Sequence, residues 1–327
     1  MFSPVSIDNA ISLTEYTFFF KFDQPIQFSD FNGSAWRGLL GHSLKKTACV
    51  TGHKTCQDCL LKTNCAYHYI FETEPDQASD RMRKYNAVPH PFVIKNHTKK
   101  ILNTDKNLEL NILLIGKANF YMPYLVQSMI KAGTIGVTKG RNQFSVEKVT
   151  LKNNQQAIWS KGSSRVKSHE NVKLIIPELP VSKPYIQLKL VTPLKITSEG
   201  RLLRAKAFKF SHLIRSLTRR ISMLSYFHCN EEINIDFKAI HELSESVEIL
   251  SSDLKDIRWK RFSSRQKKLM FVEGITGEFV VNLSDYKVLW PLLYIGSKLH
   301  AGKLTSMGLG EYEITTLASL PNEKEIK

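Results

Sequence analysis

The sequence predicts an α+β chain of two tandem ferredoxin-like domains, each βαββαβ, the first carrying a cysteine-rich insert. Three observations carry this. First, an apolar run from Val288 to Leu299 feeds into His300-Ala301-Gly302-Lys303-Leu304-Thr305-Ser306-Met307-Gly308-Leu309-Gly310 and a strand-like stretch from Glu311 to Thr316. Second, the same pattern stands near the middle of the chain. There Tyr121 to Lys131 leads into Gly133-Thr134-Ile135-Gly136-Val137-Thr138-Lys139-Gly140-Arg141 and an alternating strand, Phe144 to Leu151. Two copies of helix, glycine-basic loop and strand, each closing one half, mark an internal repeat. Third, the order of segments ahead of each copy completes the βαββαβ scheme. The division falls at 1–175 and 176–327, with the insert at about 49–69.

Each element has its own signal. Thr14 to Phe22 reads as a strand with Tyr16, Phe18 and Phe20 on one face. Asn32-Gly33-Ser34 is a turn whose serine suits a helix cap, and the helix from Ala35 to about Thr47 carries an i, i+4, i+8 row of Trp36, Leu40 and Leu44. Pro89 to Ile94 and Leu108 to Ile115 are the next strands. A polar, Lys- and Ser-rich stretch from Asn153 to Lys173 reads as a loop or linker. In the second half, Tyr185 to Val191 is a strand, and Phe210, Leu213, Leu217, Ile221 and Leu224 form a helical stripe. Leu269 to Val272 and Ile275 to Val281 read as strands around Gly274.

Charge points to the partner. The chain of 327 residues has 46 Lys and Arg against 30 Asp and Glu, a net charge of +16. Such a surface favours nucleic acid or an anionic surface. Arg201, Arg204, Lys206, Lys209, Arg215, Arg219 and Arg220 are clustered, and the second cluster runs from Arg258 to Lys268. The latter interleaves guanidiniums with Trp259 and Phe262, the stacking and phosphate-binding combination of single-stranded RNA sites. No apolar run approaches the roughly 18 residues that span a bilayer, and the N-terminus lacks the n- and h-regions of a signal peptide. The expected location is the cytoplasm.

In that compartment cysteines are reduced thiols or metal ligands. Cys49, Cys56, Cys59 and Cys65 are clustered, and the two-residue gap in Cys56-Gln57-Asp58-Cys59 suits one tetrahedral ion. A structural zinc is expected there, with His53 and His68 as alternative ligands; Cys229 stands apart. The glycine loop at 300–310 has chemistry suited to phosphate oxygens: Lys303, Thr305 and Ser306 beside a backbone opened by Gly302, Gly308 and Gly310. It follows a helix and opens a strand, the reverse of a Walker loop, which disfavours nucleotide hydrolysis.

Several segments together resemble a known family. They are Trp36-Arg37-Gly38-Leu39-Leu40-Gly41-His42, the four-cysteine insert running to Tyr69-Ile70-Phe71-Glu72, Arg261-Phe262-Ser263-Ser264-Arg265-Gln266, and Leu299-His300-Ala301-Gly302-Lys303 through Gly308-Leu309-Gly310-Glu311-Tyr312. In this order the chain resembles the CRISPR-associated repeat-RNA endoribonucleases of the RAMP superfamily. The resemblance implies binding of the repeat in CRISPR precursor RNA and one cut, made without a catalytic metal. The 2′-OH attacks the adjacent phosphate, leaving a 2′,3′-cyclic phosphate and a 5′-OH. It places the catalytic histidine on the first helix, hence His42, which shares an i, i+4 row with Gly38 and Lys46. His300 is the competing position, and a supporting tyrosine matches Tyr16 loosely. Arg37, Arg261, Arg265, Gly302, Lys303, Thr305, Ser306, Gly308 and Gly310 are the expected RNA-binding positions. Leu304 and Met307 stand where the family's loop often has glycine and an aromatic. The alternatives are a noncatalytic guide-RNA-binding subunit, a zinc-stabilised adaptor, or the processing domain of a longer reverse transcriptase and integrase fusion. Partners beyond RNA would be CRISPR effector or adaptation proteins, and the protein itself a monomer or homodimer.

Overall fold

In the computed structural model, residues 5–7, 10–26, 28, 31–53, 55–75, 88–95, 106–138, 140–263 and 268–320 are described. Two antiparallel sheets organise them. The first takes β1 (Ser12–Phe22), β2 (Phe92–Lys95), β3 (Asn107–Ile115), β4 (Phe144–Leu151) and β5 (Ala157–Ser160) in the order β2-β3-β1-β4-β5. Helices α1 (Gly33–Ala48) and α3 (Met122–Ile135) connect β1 to β2 and β3 to β4, and the short α2 (Ala66–Phe71) follows the cysteine segment. The second sheet takes β6 (Tyr185–Leu194), β7 (Ile249–Ser263), β8 (Lys268–Asn282) and β9 (Tyr312–Leu317) in the order β7-β8-β6-β9. Its helices are α4 (Phe210–Leu224), α5 (Phe237–Glu245) and α6 (Trp290–Leu299). Apart from β5, the strand order is the same in both sheets, and it is the order βαββαβ produces.

The period-2 face of β1 explains the first core. Tyr16, Phe18, Phe20 and Phe22 are all buried on its helix side, and β1 pairs with β3 through Phe18↔Leu110 and with β4 through Phe18↔Val149. Trp36 of α1 stacks on Phe20 with ring centroids 5.1 Å apart, and Leu40 and Leu44 continue that buried row. The helix begins at Gly33, so Ser34 lies inside its first turn and makes no cap hydrogen bond. Gly33 has another task. A Cβ there would overlap the Met307 carbonyl oxygen, so the missing side chain lets the second domain's glycine loop sit against the start of α1.

Several segments depart from expectation. The stretch 153–173 contains β5 and a two-residue strand, Val172–Lys173, that pairs with Ser12 and Leu13. The two strands expected around Gly274 are one, β8, and its partner β7 is a strand the apolar pattern did not reveal. Only Ile275 to Asn282 of β8 pair with β6, so the outer part of the β7–β8 hairpin projects as a two-stranded ribbon. The domains also share material at their joint. Val5–Ser6 pairs with Asn234–Ile235, and Ile7, Ala10 and Ile11 belong to the second domain's core. No helix among the described residues is long and apolar enough to cross a membrane.

Candidate active site

Packing Trp36, Leu40 and Leu44 inward turns the opposite stripe of α1 to solvent, since residues four apart share a face. That stripe is Gly38, His42 and Lys46. His42 and Lys46 are exposed, and a Cβ on Gly38 would meet nothing within 4 Å. The ground in front of the imidazole is therefore open. Partial burial, with the Lys46 ammonium one turn away, holds the His42 imidazole below the usual histidine value. At neutral pH it is an unprotonated base beside a fixed positive charge. The described part of α1 has no acidic residue to oppose that field.

Arg37, expected to touch RNA, turns the other way. Its Nη2 lies 3.2 Å from His90 Nε2 and its guanidinium 5.1 Å from the Phe71 ring centroid. It is half-buried in the joint between α1, α2 and β2. The neighbouring His228 is fully buried: Tyr69 Oη lies 3.0 Å from its Nδ1, and its Nε2 lies 2.9 Å from the Pro89 carbonyl. Tyr69 donating to Nδ1 while Nε2–H donates to Pro89 defines one neutral tautomer. Burial pushes both His90 and His228 down to about 4. The His228 bonds to Tyr69 and Pro89 fasten the two domains together. Tyr16 likewise sits in the core, its hydroxyl 2.8 Å from Asn119 Oδ1 and 2.6 Å from His169 Nε2.

The glycine loop also differs from its expected role. His300 is fully buried, with Nδ1 3.2 Å from the Leu309 carbonyl and Nε2 4.0 Å from Glu311. No RNA phosphate reaches it in this arrangement. The amides expected to be open are already engaged. Ala301 N donates to Gly310 O, Gly302 N to Ser216 Oγ, Lys303 N to Lys195 O, and Gly310 N to Pro193 O, at 2.8–3.1 Å. Thr305 and Ser306 are buried. Gly302 and Gly308 have positive φ, and their α-carbons face the Lys195 and Ile94 carbonyl oxygens, each 2.5 Å from where a Cβ would stand. The glycines allow the loop to bridge β6 of its own domain and β2 of the other. Of the loop positions expected to bind RNA, Lys303 alone offers an exposed side chain.

The described residues of the Arg258–Lys268 cluster lie on the β7–β8 ribbon, whose strand β7 the sequence did not reveal and which stands beside this junction. Its inner residues Trp259 and Val272 pack with Phe31, Leu304, Met307 and Leu309. Its outer face carries exposed Arg258, Lys260 and Phe271, the Arg258 guanidinium 3.7 Å from the Phe271 ring centroid. A cation stacked on an exposed ring is a ready platform for a base and a phosphate. The Arg258–Lys268 charge cluster was its only sequence signal. The Arg261 side chain and all of Arg265 lie outside the described residues.

The four clustered cysteines come from the end of α1, a turn, and the start of α2. Cys49, Cys56, Cys59 and Cys65 line one hollow together with Thr51, His53 and His68. Among the described residues no three metal-binding side chains are already grouped for one ion.

Comparison with known proteins finds likenesses to both halves of the chain. Residues 188–312 match the model of the CRISPR-associated endoribonuclease Cas6, and residues 11–171 match a model described as an N-terminal domain. No curated protein matches. Among solved structures, a Cas6 product complex is 14% identical, with 93% of this chain and 99% of that chain covered and a TM-score of 0.56. Thermus thermophilus Cas6 is 14% identical, with 93% and 99% covered and a TM-score of 0.52. A partial Cas6-RT-Cas1–Cas2 complex is 16% identical at a TM-score of 0.57; the match covers 95% of this chain and spans about half, 48%, of that one. At these identities the structural likeness establishes the fold.

Proposed function

We propose that this chain, whose residues 188–312 match the CRISPR-associated endoribonuclease Cas6 model, is a Cas6-type endoribonuclease that binds CRISPR repeat RNA and cuts it by attack of a ribose 2′-OH, with His42 as the group that moves the proton. The observation that carries this reading is the exposed Gly38-His42-Lys46 stripe, with an imidazole kept neutral by its surroundings.

The chemistry follows from the stripe. Neutral His42 accepts the 2′-OH proton as the oxygen attacks the adjacent phosphorus. The phosphorus–O5′ bond then breaks, leaving a 2′,3′-cyclic phosphate and a 5′-oxygen that takes up a proton. The Lys46 ammonium stabilises the extra negative charge on the pentacoordinate phosphate. No metal is required at any step. Arg258, Lys260 and Phe271 on the ribbon, together with Lys303, hold the RNA across the domain junction. The partial Cas6-RT-Cas1–Cas2 complex motivates a further reading, that this chain also works joined to or beside spacer-acquisition proteins.

The test is a pH profile of cleavage of the cognate repeat. The rate is expected to fall at acid pH as His42 becomes protonated, with a midpoint below the ordinary histidine value of about 6.5. In Lys46→Ala the imidazole loses a neighbouring positive charge, so its pKa rises and the acid limb moves to higher pH. The rate on the plateau should fall less than in His42→Ala. A limb that stays in place would remove Lys46 from the vicinity of the reacting base. A repeat left intact by the wild type at every pH would instead favour a guide-binding subunit without catalysis.

A further inference from the structure

The cysteine insert has no core of its own. Among the described residues from Cys49 to Cys65, none is buried. Val50 and Leu60 are 81% and 96% exposed, and the described residues of the segment hold no strand and only a three-residue helical turn, Lys62–Asn64. Burial cannot hold such a segment in one conformation, because it has almost no apolar surface removed from water to offset its ordering entropy.

Four cysteines nonetheless line one hollow in it. Cys49 Sγ and Cys59 Sγ each lie 3.7 Å from the Thr51 hydroxyl. Cys56 and Cys59 are joined by a tight turn in which the Cys59 amide donates to the Cys56 carbonyl at 3.3 Å. Cys65 caps the start of α2 and lines the same hollow of about 210 Å³. His68 Nε2, one turn into α2, is buried at the edge of this hollow with no hydrogen-bond partner.

We infer that this hollow is a structural zinc site with Cys49, Cys56, Cys59 and Cys65 as its four ligands. The thiols lose their protons to solvent as the ion binds, and Lys62, which lines the hollow, offsets part of the negative charge of the tetrathiolate. Because no three ligands are yet grouped for one ion, binding has to draw the 49–59 loop inward, so metal affinity and local folding are coupled. The ion would fasten the end of α1 to the start of α2. Cys49 follows His42 by two helical turns, so the fastening steadies the proposed catalytic helix from its far end. The site does not depend on whether the chain cuts RNA.

The experiment is metal analysis of the purified full chain after zinc-replete expression, with cobalt substitution as an optical readout. About one zinc per chain is expected, lost in Cys56→Ser and Cys59→Ser and kept in Cys229→Ser. Cobalt-loaded wild type should show the thiolate charge-transfer and ligand-field absorption of a tetrahedral site; this readout stands even if the serine variants fail to fold. A folded wild type with less than about a tenth of an equivalent of zinc and no such cobalt spectrum overturns the site. Zinc kept in Cys49→Ser but lost in His68→Ala overturns the four-thiolate set in favour of three thiolates and an imidazole.

Discussion

Replacing His42 with alanine is expected to slow cleavage of the cognate repeat by about 10²-fold or more while repeat binding changes little. The size follows from losing the one proton-transfer group on the exposed stripe of α1. The small effect on binding follows from the side chain carrying no charge at neutral pH, since burial and Lys46 both oppose its protonation. Single-turnover cleavage and filter binding measured on the same preparation separate the two effects. His300→Ala tests the rival position differently. His300 is fully buried and bonded within its own loop, so its removal should lower stability before it alters the chemistry. Loss of cleavage in well-folded His300→Ala with normal rates in His42→Ala would reverse the assignment.

Gly310→Ala is expected to destabilise the protein by roughly 2–5 kcal/mol, from a left-handed backbone imposed on a residue with a Cβ and from overpacking. Gly310 has φ +73°, and the added carbon would overlap the Ala301 carbonyl oxygen. That oxygen cannot withdraw cheaply, because the Ala301 and Gly310 amides tie the two ends of the loop to each other and to Pro193. Denaturant unfolding measures the loss. Gly38→Ala is the contrast: its φ is helical and its surroundings are open, so alanine should raise stability by up to about 1 kcal/mol. Gly310→Ala protein as stable as wild type, with only RNA affinity lowered, would return the loop to a phosphate-binding role.

The sequence made the two-domain repeat legible because each half ends on the same helix, loop and strand, and because β1 and α1 bury strongly periodic aromatic and aliphatic rows. Residues such as Trp36, Leu40 and Leu44 fix a helix face, and that face in turn exposes His42. The glycine loop was legible as a feature, but its structural use was not. Three glycines beside a lysine and two hydroxyls suit an anion, but the same glycines also suit close passage of backbone past Lys195, Ile94 and Ala301. Only the tertiary contacts decide between these uses. Strand β7 escaped because its outer half belongs to a ribbon that projects beyond β6, so Ile257 and Trp259 alternate with charged residues where no full core demands an apolar run. Arg37 shows a similar ambiguity: a guanidinium signals phosphate in a sequence, yet here it lies against Phe71 and His90 of its own domain.

Central to the account is cleavage by the RNA's own 2′-OH with His42 receiving its proton. The most direct measurement uses two repeat RNAs in excess EDTA, one all-ribose and one with a single 2′-deoxy nucleotide immediately 5′ of the cut. The all-ribose RNA should be cut once, to a 2′,3′-cyclic phosphate and a 5′-OH, and the deoxy RNA should be bound and left intact. Cleavage of the deoxy RNA, or cleavage of the all-ribose RNA that stops in EDTA and returns with magnesium but not with zinc, would contradict the account.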